Sequence, residues 1–297
     1  TGNINSAISL NSGAGSDAQA ICQNSPLSPI TYSIGGGGTG ASITSGTLPA
    51  GVTGVYNAGV FTISGTPTNS GNFSYRVTTT GPCGNVFMNG TISVTAQPSG
   101  TFTPSSTKIC AGQTVKFTFL PAGLGSYTFR LNGVGAPLQS NTLNSYSTGT
   151  LINGDFITVD VADNNCGATF TSVPVTVNPL PNPGITSDVN SGCGPLAVQF
   201  SESVSTTCSS VFYDFGDGTT DTVENPGAHI YPQPGNYTVK LNILGNNGCL
   251  SDTFQQKVVA GSIPVAAFDM KDAPFCDNRS VTIGSTSHVE FGTISEW

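Results

Sequence analysis

Cysteines recur along this chain at a nearly fixed interval, and that recurrence constrains the fold more than any other feature. Cys22, Cys110, Cys193 and Cys276 each come shortly before a strand-like run. A second series, Cys83, Cys166 and Cys249, keeps step with the first and sits in the turns Gly81-Pro82-Cys83-Gly84, Asn164-Asn165-Cys166-Gly167 and Asn247-Gly248-Cys249. Self-similarity at a fixed period marks a repeat architecture, and this period has the size of one small β-sandwich. The 297 residues hold about three such units.

Local patterns agree. Val115–Leu120 is an apolar run, and in Tyr237–Leu241 the residues Tyr237, Val239 and Leu241 alternate with Thr238 and Lys240, the period of a strand. No amphipathic helical stretch of useful length occurs, and no apolar run reaches the ~18 residues of a membrane span. Proline-bearing joints follow predicted strands: Ala96–Gly100 after Thr91–Thr95, Pro179–Pro183 after Val173–Val177, and Gly261–Pro264 after Lys257–Ala260. Such joints are stiffer than Gly/Ser linkers. The expected fold class is therefore all-β, tandem β-sandwich modules in a semi-rigid rod. The expected domains are 1–97, 98–181, 182–261 and a further module begun at 262–297. Each complete module would add about 35–45 Å.

Charge narrows the function classes. Only 8% of residues are charged and the net charge is −8. Duplex nucleic acid requires a basic stripe, and an anionic membrane surface attracts one; the sequence offers neither. Thr1–Ser6 lacks the basic start and apolar core of a signal peptide. No CxxC pair occurs, so zinc and thioredoxin readings are disfavoured, and eight widely spaced cysteines in a low-charge chain suit disulfides in an oxidising compartment.

The third repeat carries the sharpest motif. Tyr213-Asp214-Phe215-Gly216-Asp217-Gly218, then Asn225-Pro226, His229, Tyr231 and Pro234-Gly235-Asn236-Tyr237-Thr238-Val239, closely resembles the polycystic-kidney-disease (PKD) domain, an immunoglobulin-like sandwich whose usual opening residue is Trp where this chain has Tyr213. In the first repeat Leu48–Val52, Phe61–Thr68 and Gly71–Val77 resemble the immunoglobulin-like (cadherin-like) repeats of bacterial surface proteins. In the second, Ile109–Val115 more loosely resembles Ig-like modules of large Bacteroidota surface proteins. Trp297 falls where the next Asp-Phe-Gly-Asp-Gly turn would begin, so the tail reads as the start of a fourth module in a chain that continues. The string as a whole resembles the giant adhesins of gliding Bacteroidota exported by the type 9 secretion system. That resemblance implies an extracellular, cell-surface filament with extracellular surfaces or polysaccharide as partners. It also implies contact with the secretion and motility machinery through other parts of the protein.

Two disulfide registers stand open. The simpler is intradomain: Cys22–Cys83, Cys110–Cys166 and Cys193–Cys249. In a sandwich of this family, however, the early cysteine lies at one end and the late one at the other, a strand of roughly 23 Å apart, whereas bonded Cα atoms lie within about 7 Å. The alternative crosses the joints, Cys22–Cys166 and Cys110–Cys249, and Cys208–Cys249 is also reachable. Strand ends are easily misjudged from sequence, which tips the reading slightly toward the intradomain links. Closing a loop of ~56 residues would contribute about 4 kcal/mol in the entropic picture.

Candidate chemistry is sparse. Asp214, Asp217, Asp221 and Glu224 offer oxygens of the kind calcium takes, against the plainer reading of a turn-stabilising Asp pair; Asp160, Asp163, Asn164 and Asn165 form a second acidic patch. Asp221-Thr222-Val223 resembles the Bacteroidota O-glycosylation signal, making Thr222 a candidate. His229 is expected to pack within the sandwich, and His288 shows no partner. No Gly-x-Ser-x-Gly elbow occurs and the Gly35–Gly38 run lacks a following Gly-Lys-Ser/Thr, so it reads as a loop or bulge. Phe117, Phe119, Tyr127 and Phe129 read as core rather than a carbohydrate platform. The expected role is non-catalytic, with no cofactor beyond that calcium: a structural and adhesive filament segment. The alternatives are an accessory substrate-binding region of a secreted polysaccharide- or protein-degrading enzyme, and a specific carbohydrate or protein receptor.

Overall fold

The computed structural model describes residues 5–82, 84–203, 208–270 and 282–293, and among these it holds strands and no α-helix. Among the described residues no helix is long and apolar enough to cross a membrane. The chain forms two compact units. One comprises residues 1–107 and 114–176, the other 108–113 and 177–297.

The first unit begins with β1 (Ser6–Leu10), β2 (Ala18–Cys22), β3 (Ile30–Gly36), β4 (Gly40–Gly46), β5 (Val52–Asn57), β6 (Val60–Gly65), β7 (Gly71–Thr80) and β8 (Phe87–Thr95). They make two four-stranded sheets, β1-β3-β6-β5 and β2-β8-β7-β4, in which β2 runs parallel to β8 and the other pairings are antiparallel. Alternation puts Ile30, Tyr32 and Ile34 of β3, and Tyr75 and Val77 of β7, into one core with Phe61, Ile63 and Ile92. Burying each large apolar side chain contributes roughly 1.5–3 kcal/mol, so a handful of them decides which face turns inward. The Gly35–Gly38 run, read as a loop or bulge, is partly strand: β1 pairs Ala7 with Gly35 and Ser6 with Gly36. At Gly36 (φ 61°) a Cβ would lie 2.2 Å from the Asn5 carbonyl oxygen, so only glycine lets the strands approach there.

Next come β9 (Thr101–Pro104), β10 (Lys108–Cys110), β11 (Val115–Leu120), β12 (Ser126–Leu131), β13 (Gln139–Asn141), β14 (Ser145–Thr148), β15 (Ile157–Asp163), β16 (Cys166–Thr171) and β17 (Thr176–Asn178). The sheets are β14-β11-β9 and β13-β12-β15-β16, with β10 and β17 a separate pair. Phe117, Phe119, Tyr127 and Phe129 are fully buried, with Phe119 packed 4.7 Å from Phe170 between ring centroids; they are core, as the alternation implied. The strand expected at Val173–Val177 is shorter and later: Val173–Val175 lies outside any strand, because Val175 and Gly154 bond across a turn instead (Gly154 N to Val175 O, 3.0 Å).

The second unit, which also holds β10 and Val177–Asn178 of β17, contains β18 (Ile185–Ser187), β19 (Ser191–Cys193), β20 (Leu196–Glu202), β21 (Cys208–Asp214), β22 (Thr220–Asp221), β23 (Ala228–Tyr231), β24 (Gly235–Gly245) and β25 (Phe254–Gly261). They form the sheets β18-β20-β23 and β19-β25-β24-β21-β22, with β19 parallel to β25. Val198, Phe200, Tyr213, Tyr231, Val239, Leu241, Ile243 and Val258 fill the core between them. The plan repeats that of the first sandwich: a short early strand ending in cysteine lies parallel to the last strand. Beyond it, β26 (Phe268–Met270) pairs with β27 (Ile283–Ser285), and Phe268, Met270 and Ile283 are exposed. Cys83, Cys276 and Trp297, and with Trp297 the continuation read from it, lie outside the described residues. The protein is a tandem array of β-sandwiches.

Candidate functional site

The Asp-Phe-Gly-Asp-Gly segment turns β21 into β22. Asp214 Oδ1 accepts from Gly216 N (3.0 Å), and Asp217 Oδ1 accepts from the amide (3.0 Å) and hydroxyl (2.6 Å) of Thr219. Gly216 (φ 81°) brings the chain so close to Thr238 that a Cβ would sit 2.6 Å from its carbonyl oxygen. Asp217 Oδ2 lies 2.8 Å from His229 Nε2 on β23, in the opposite sheet. The His229 ring stacks on Phe215, 4.0 Å between centroids and 6° between planes, and Tyr231 donates its hydroxyl to the Phe215 carbonyl (3.1 Å). These contacts latch one sheet to the other at the turn.

The latch sets the local electrostatics. Burial opposes ionisation of Asp217, but bonds from the Thr219 hydroxyl and amide and from His229 more than offset it and hold the carboxyl below its ordinary range. The Gly216 amide, then Lys240 (Nζ to Oδ2, 3.3 Å), does the same for Asp214. Asp221 Oδ1 accepts from the amides of Thr222 and Val223 (2.6 and 3.0 Å), and Thr222 is exposed. The proposed calcium ligands Asp214, Asp217 and Asp221 are thus each engaged in local bonds. In the second patch, Asp160 pairs with Arg130 and accepts from Thr169 (2.6 Å), while Asp163 accepts from Asn164 (2.9 Å).

A different cluster lies nearby. One donor atom each of Glu202, Cys208 and Glu224 falls within 4.8 Å of the others. Cys208 Sγ is 3.4 Å from Glu224 Oε1. Burial, and then Glu224, pushes the Glu202 carboxyl up; burial and the bond to Glu224 push the Cys208 thiol up. Burial, with Glu202, Asp221 and Cys208, raises the Tyr213 phenol to about 12, and its hydroxyl and Glu202 Oε2 are buried without a partner. Sequence reasoning did not single out Glu202: it is remote from Glu224 along the chain, and only the β20–β23 pairing brings them together.

The cysteines resolve the open registers. Cys22 bonds Cys166 and Cys110 bonds Cys249, each with 5.6 Å between Cα atoms. The intradomain links that the sequence slightly favoured are corrected, as is Cys208–Cys249. Cys22 ends β2 beside Thr95, the C-terminal end of β8, whereas Cys83 precedes the other end of that nine-residue strand, which spans about 30 Å. The same holds for Cys193, paired with Gly261 at the end of the eight-residue β25, and Cys249, which precedes its start. Cys193 and Cys208 are free thiols.

In the first sandwich a surface depression of about 430 Å³ is lined by Asp17, Ser45, Tyr75, Arg76 and Asn89 among others. Arg76 bonds Asn89 (3.1 Å) and its guanidinium lies 4.2 Å from the centroid of the Phe87 ring.

With a two-sheet plan and the acidic turn in place, the class is a repeat of PKD-like and Ig-like sandwiches. The family model for the PKD domain matches residues 176–259. No curated protein matches the chain. Among solved structures, the chain is similar to titin domains I67–I69 (9% identity, 82% of this chain and 95% of that one, TM-score 0.42). It is also similar to a D1–D4 ectodomain fragment of ICAM-5 (10%, 95% and 83%, 0.34). A third similar structure is that of the fibronectin(III)-like modules of Clostridium thermocellum CbhA (16%, 54% and 94%, 0.30).

Proposed function

We propose that this chain is a non-catalytic structural and adhesive segment of a long extracellular surface filament, with modules at 1–97, 98–181, 182–261 and 262–297. The observation that carries it is the interlacing of the two disulfides. Along the backbone, the path from Cys22 to Cys249 runs through most of the chain. Crossing both bonds shortens it to the stretch between Cys110 and Cys166. Tension between the ends therefore falls on a short covalent path, a feature suited to a load-bearing strand. Disulfides also fit an oxidising extracellular setting.

The resemblance to gliding Bacteroidota adhesins supports a cell-surface location, type 9 export and partners among extracellular surfaces or polysaccharide. Low charge leaves such a surface open to many weak contacts, strengthened by repetition. Thr222, exposed beside Asp221, is the proposed O-glycan site. Single-molecule pulling tests the mechanical role. Reduction should release the bypassed backbone and lengthen the fully extended chain by about 600 Å, at ~3.5 Å for each residue freed. Equal extension with and without reductant overturns it. Beads bearing the oxidised protein should stick to polysaccharide-coated glass more than beads bearing a single sandwich; equal retention removes the adhesive part. A calcium titration followed by melting temperature tests Asp214, Asp217 and Asp221 as ligands.

A further inference from the structure

Three cysteines end the short early strands, and their surroundings match. Cys22 ends β2, Cys110 ends β10 and Cys193 ends β19. In each case the next residue donates its amide to the carbonyl of the residue that ends the partner strand. Gln23 bonds Thr95 (2.8 Å), Ala111 bonds Asn178 (2.9 Å) and Gly194 bonds Gly261 (2.6 Å). At the first two, a turn cysteine has come in over that same carbonyl: Cys166 Sγ is 4.0 Å from Thr95 O, and Cys249 Sγ is 4.0 Å from Asn178 O.

The incoming segments also match. Cys166 follows Asn164 and Asn165, both left-handed (φ 48° and 65°), and Cys249 follows the left-handed Gly248 (φ 81°). At the second joint, Asn247 donates to the Pro179 carbonyl (2.9 Å), and Asn178 donates to the Asn247 carbonyl (3.3 Å). The socket is thus an early-strand cysteine beside a last-strand carbonyl, and its occupant is a cysteine on an Asn/Gly turn of another sandwich. Cys193, exposed and free, has the socket geometry without an occupant among the described residues.

We propose that Cys193, beside the Gly261 carbonyl, is a third socket that takes by disulfide the turn cysteine of a further β-sandwich module of the same kind. The bonded cysteines at the filled joints are separated by 144 and 139 in the sequence, and a continuing chain that keeps this period places the occupant of Cys193 at a like separation. The two thiols are oxidised by a dithiol–disulfide oxidoreductase through a mixed disulfide. Its disulfide accepts two electrons and two protons and leaves as a dithiol, while the new S–S bond forms between Cys193 and its partner. The inference rests on the extracellular part of the function proposed above, and not on adhesion.

The test uses protein taken from its natural source, blocked with N-ethylmaleimide before any reduction, digested and mapped by mass spectrometry. The expected result is a Cys193 peptide joined to a cysteine peptide whose preceding residues are Asn or Gly. A Cys193→Ser chain should lose that linked species and gain maleimide on the partner cysteine, with Cys22–Cys166 unchanged. Maleimide on Cys193 of the natural protein, or its linkage to Cys208, Cys276 or a small thiol, overturns the proposal. If Cys22, Cys110, Cys166 and Cys249 stay oxidised while Cys193 is labelled, only the third socket fails. If all five are labelled, the extracellular reading fails with it.

Discussion

The first and third sandwiches share a strand plan and treat one buried tyrosine hydroxyl in opposite ways. In the first, Tyr32 of β3 and Tyr75 of β7 meet across the core and bond hydroxyl to hydroxyl at 3.1 Å. In the third, Tyr213 is equally buried but its hydroxyl has no partner, and Glu202, Asp221 and Cys208 all disfavour its ionised form. The third sandwich instead concentrates its polar bonding at the Asp217–His229 latch. A scaffold closed by neutral pairs tolerates changes of pH. One that gathers carboxylates around a turn gains a tight corner there and becomes sensitive to pH.

The largest effect expected falls on the bond that ties the first sandwich to the second. In the entropic picture a loop of 144 residues contributes about 5 kcal/mol. The Cys22→Ser, Cys166→Ser pair should therefore lower unfolding free energy by up to about that amount in denaturant titrations. The still-closed Cys110–Cys249 loop overlaps this one, which brings the loss below the full value. A loss under about 1 kcal/mol, the size of an ordinary point change, would mean that packing at the joint, and not the bond, holds the first two sandwiches together.

The tyrosines sharpen the comparison next. Tyr75→Phe leaves the Tyr32 hydroxyl buried and unbonded, which costs about 1–3 kcal/mol. Tyr213→Phe removes a hydroxyl that has no bond to lose, and should leave stability unchanged or raise it by about 1 kcal/mol. Thermal melts of the two variants against wild type read this directly. If Tyr213→Phe destabilises as much as Tyr75→Phe, the two cores are alike after all.

What the sequence made legible follows the same division. Tyr237–Leu241 announced a half-buried strand because side chains alternate with period two, and Val239 and Leu241 are indeed buried while Lys240 is exposed. Tyr213 and Phe215, which flank Asp214 with the same period, are buried as well. The disulfides were only half legible: chain spacing gave the candidates, but the pairing depends on which end of a strand each cysteine occupies. Val173–Val175 had strand composition and lost its strand to a turn bond at Gly154. The Glu202–Cys208–Glu224 cluster was illegible, because its members meet only through strand pairing.

A smaller effect is expected at the latch. Asp217→Asn removes the charge from the bond to His229 and should cost about 1 kcal/mol at neutral pH. The sign with pH follows from the lowered carboxyls. Because Asp214 and Asp217 titrate below their ordinary range when folded, the stability they add is present above the usual value near ~3.9. It is lost as pH falls through the still lower folded values. Acid titrations of Tm should therefore show a shallower acid limb in the variant. An identical limb would mean that other carboxylates govern acid unfolding.

Glu202 reverses that sign and gives the smallest effect. Its carboxyl is raised in the folded protein, by burial first and by Glu224 second, so folding favours its protonated form. That contribution is full below the unfolded value of about 4.3 and is lost as pH rises through the folded value. One oxygen of that carboxyl is buried and unbonded. Glu202→Gln removes the charge and keeps the shape, so its effect should stay below about 1 kcal/mol and favour the folded state. The gain should be absent below the ordinary carboxyl range and grow as pH rises above it, opposite to the course at Asp217. Variants that moved the same way with pH would show that Glu202 is compensated in solution, and the contrast between the two regions would rest on the tyrosines alone.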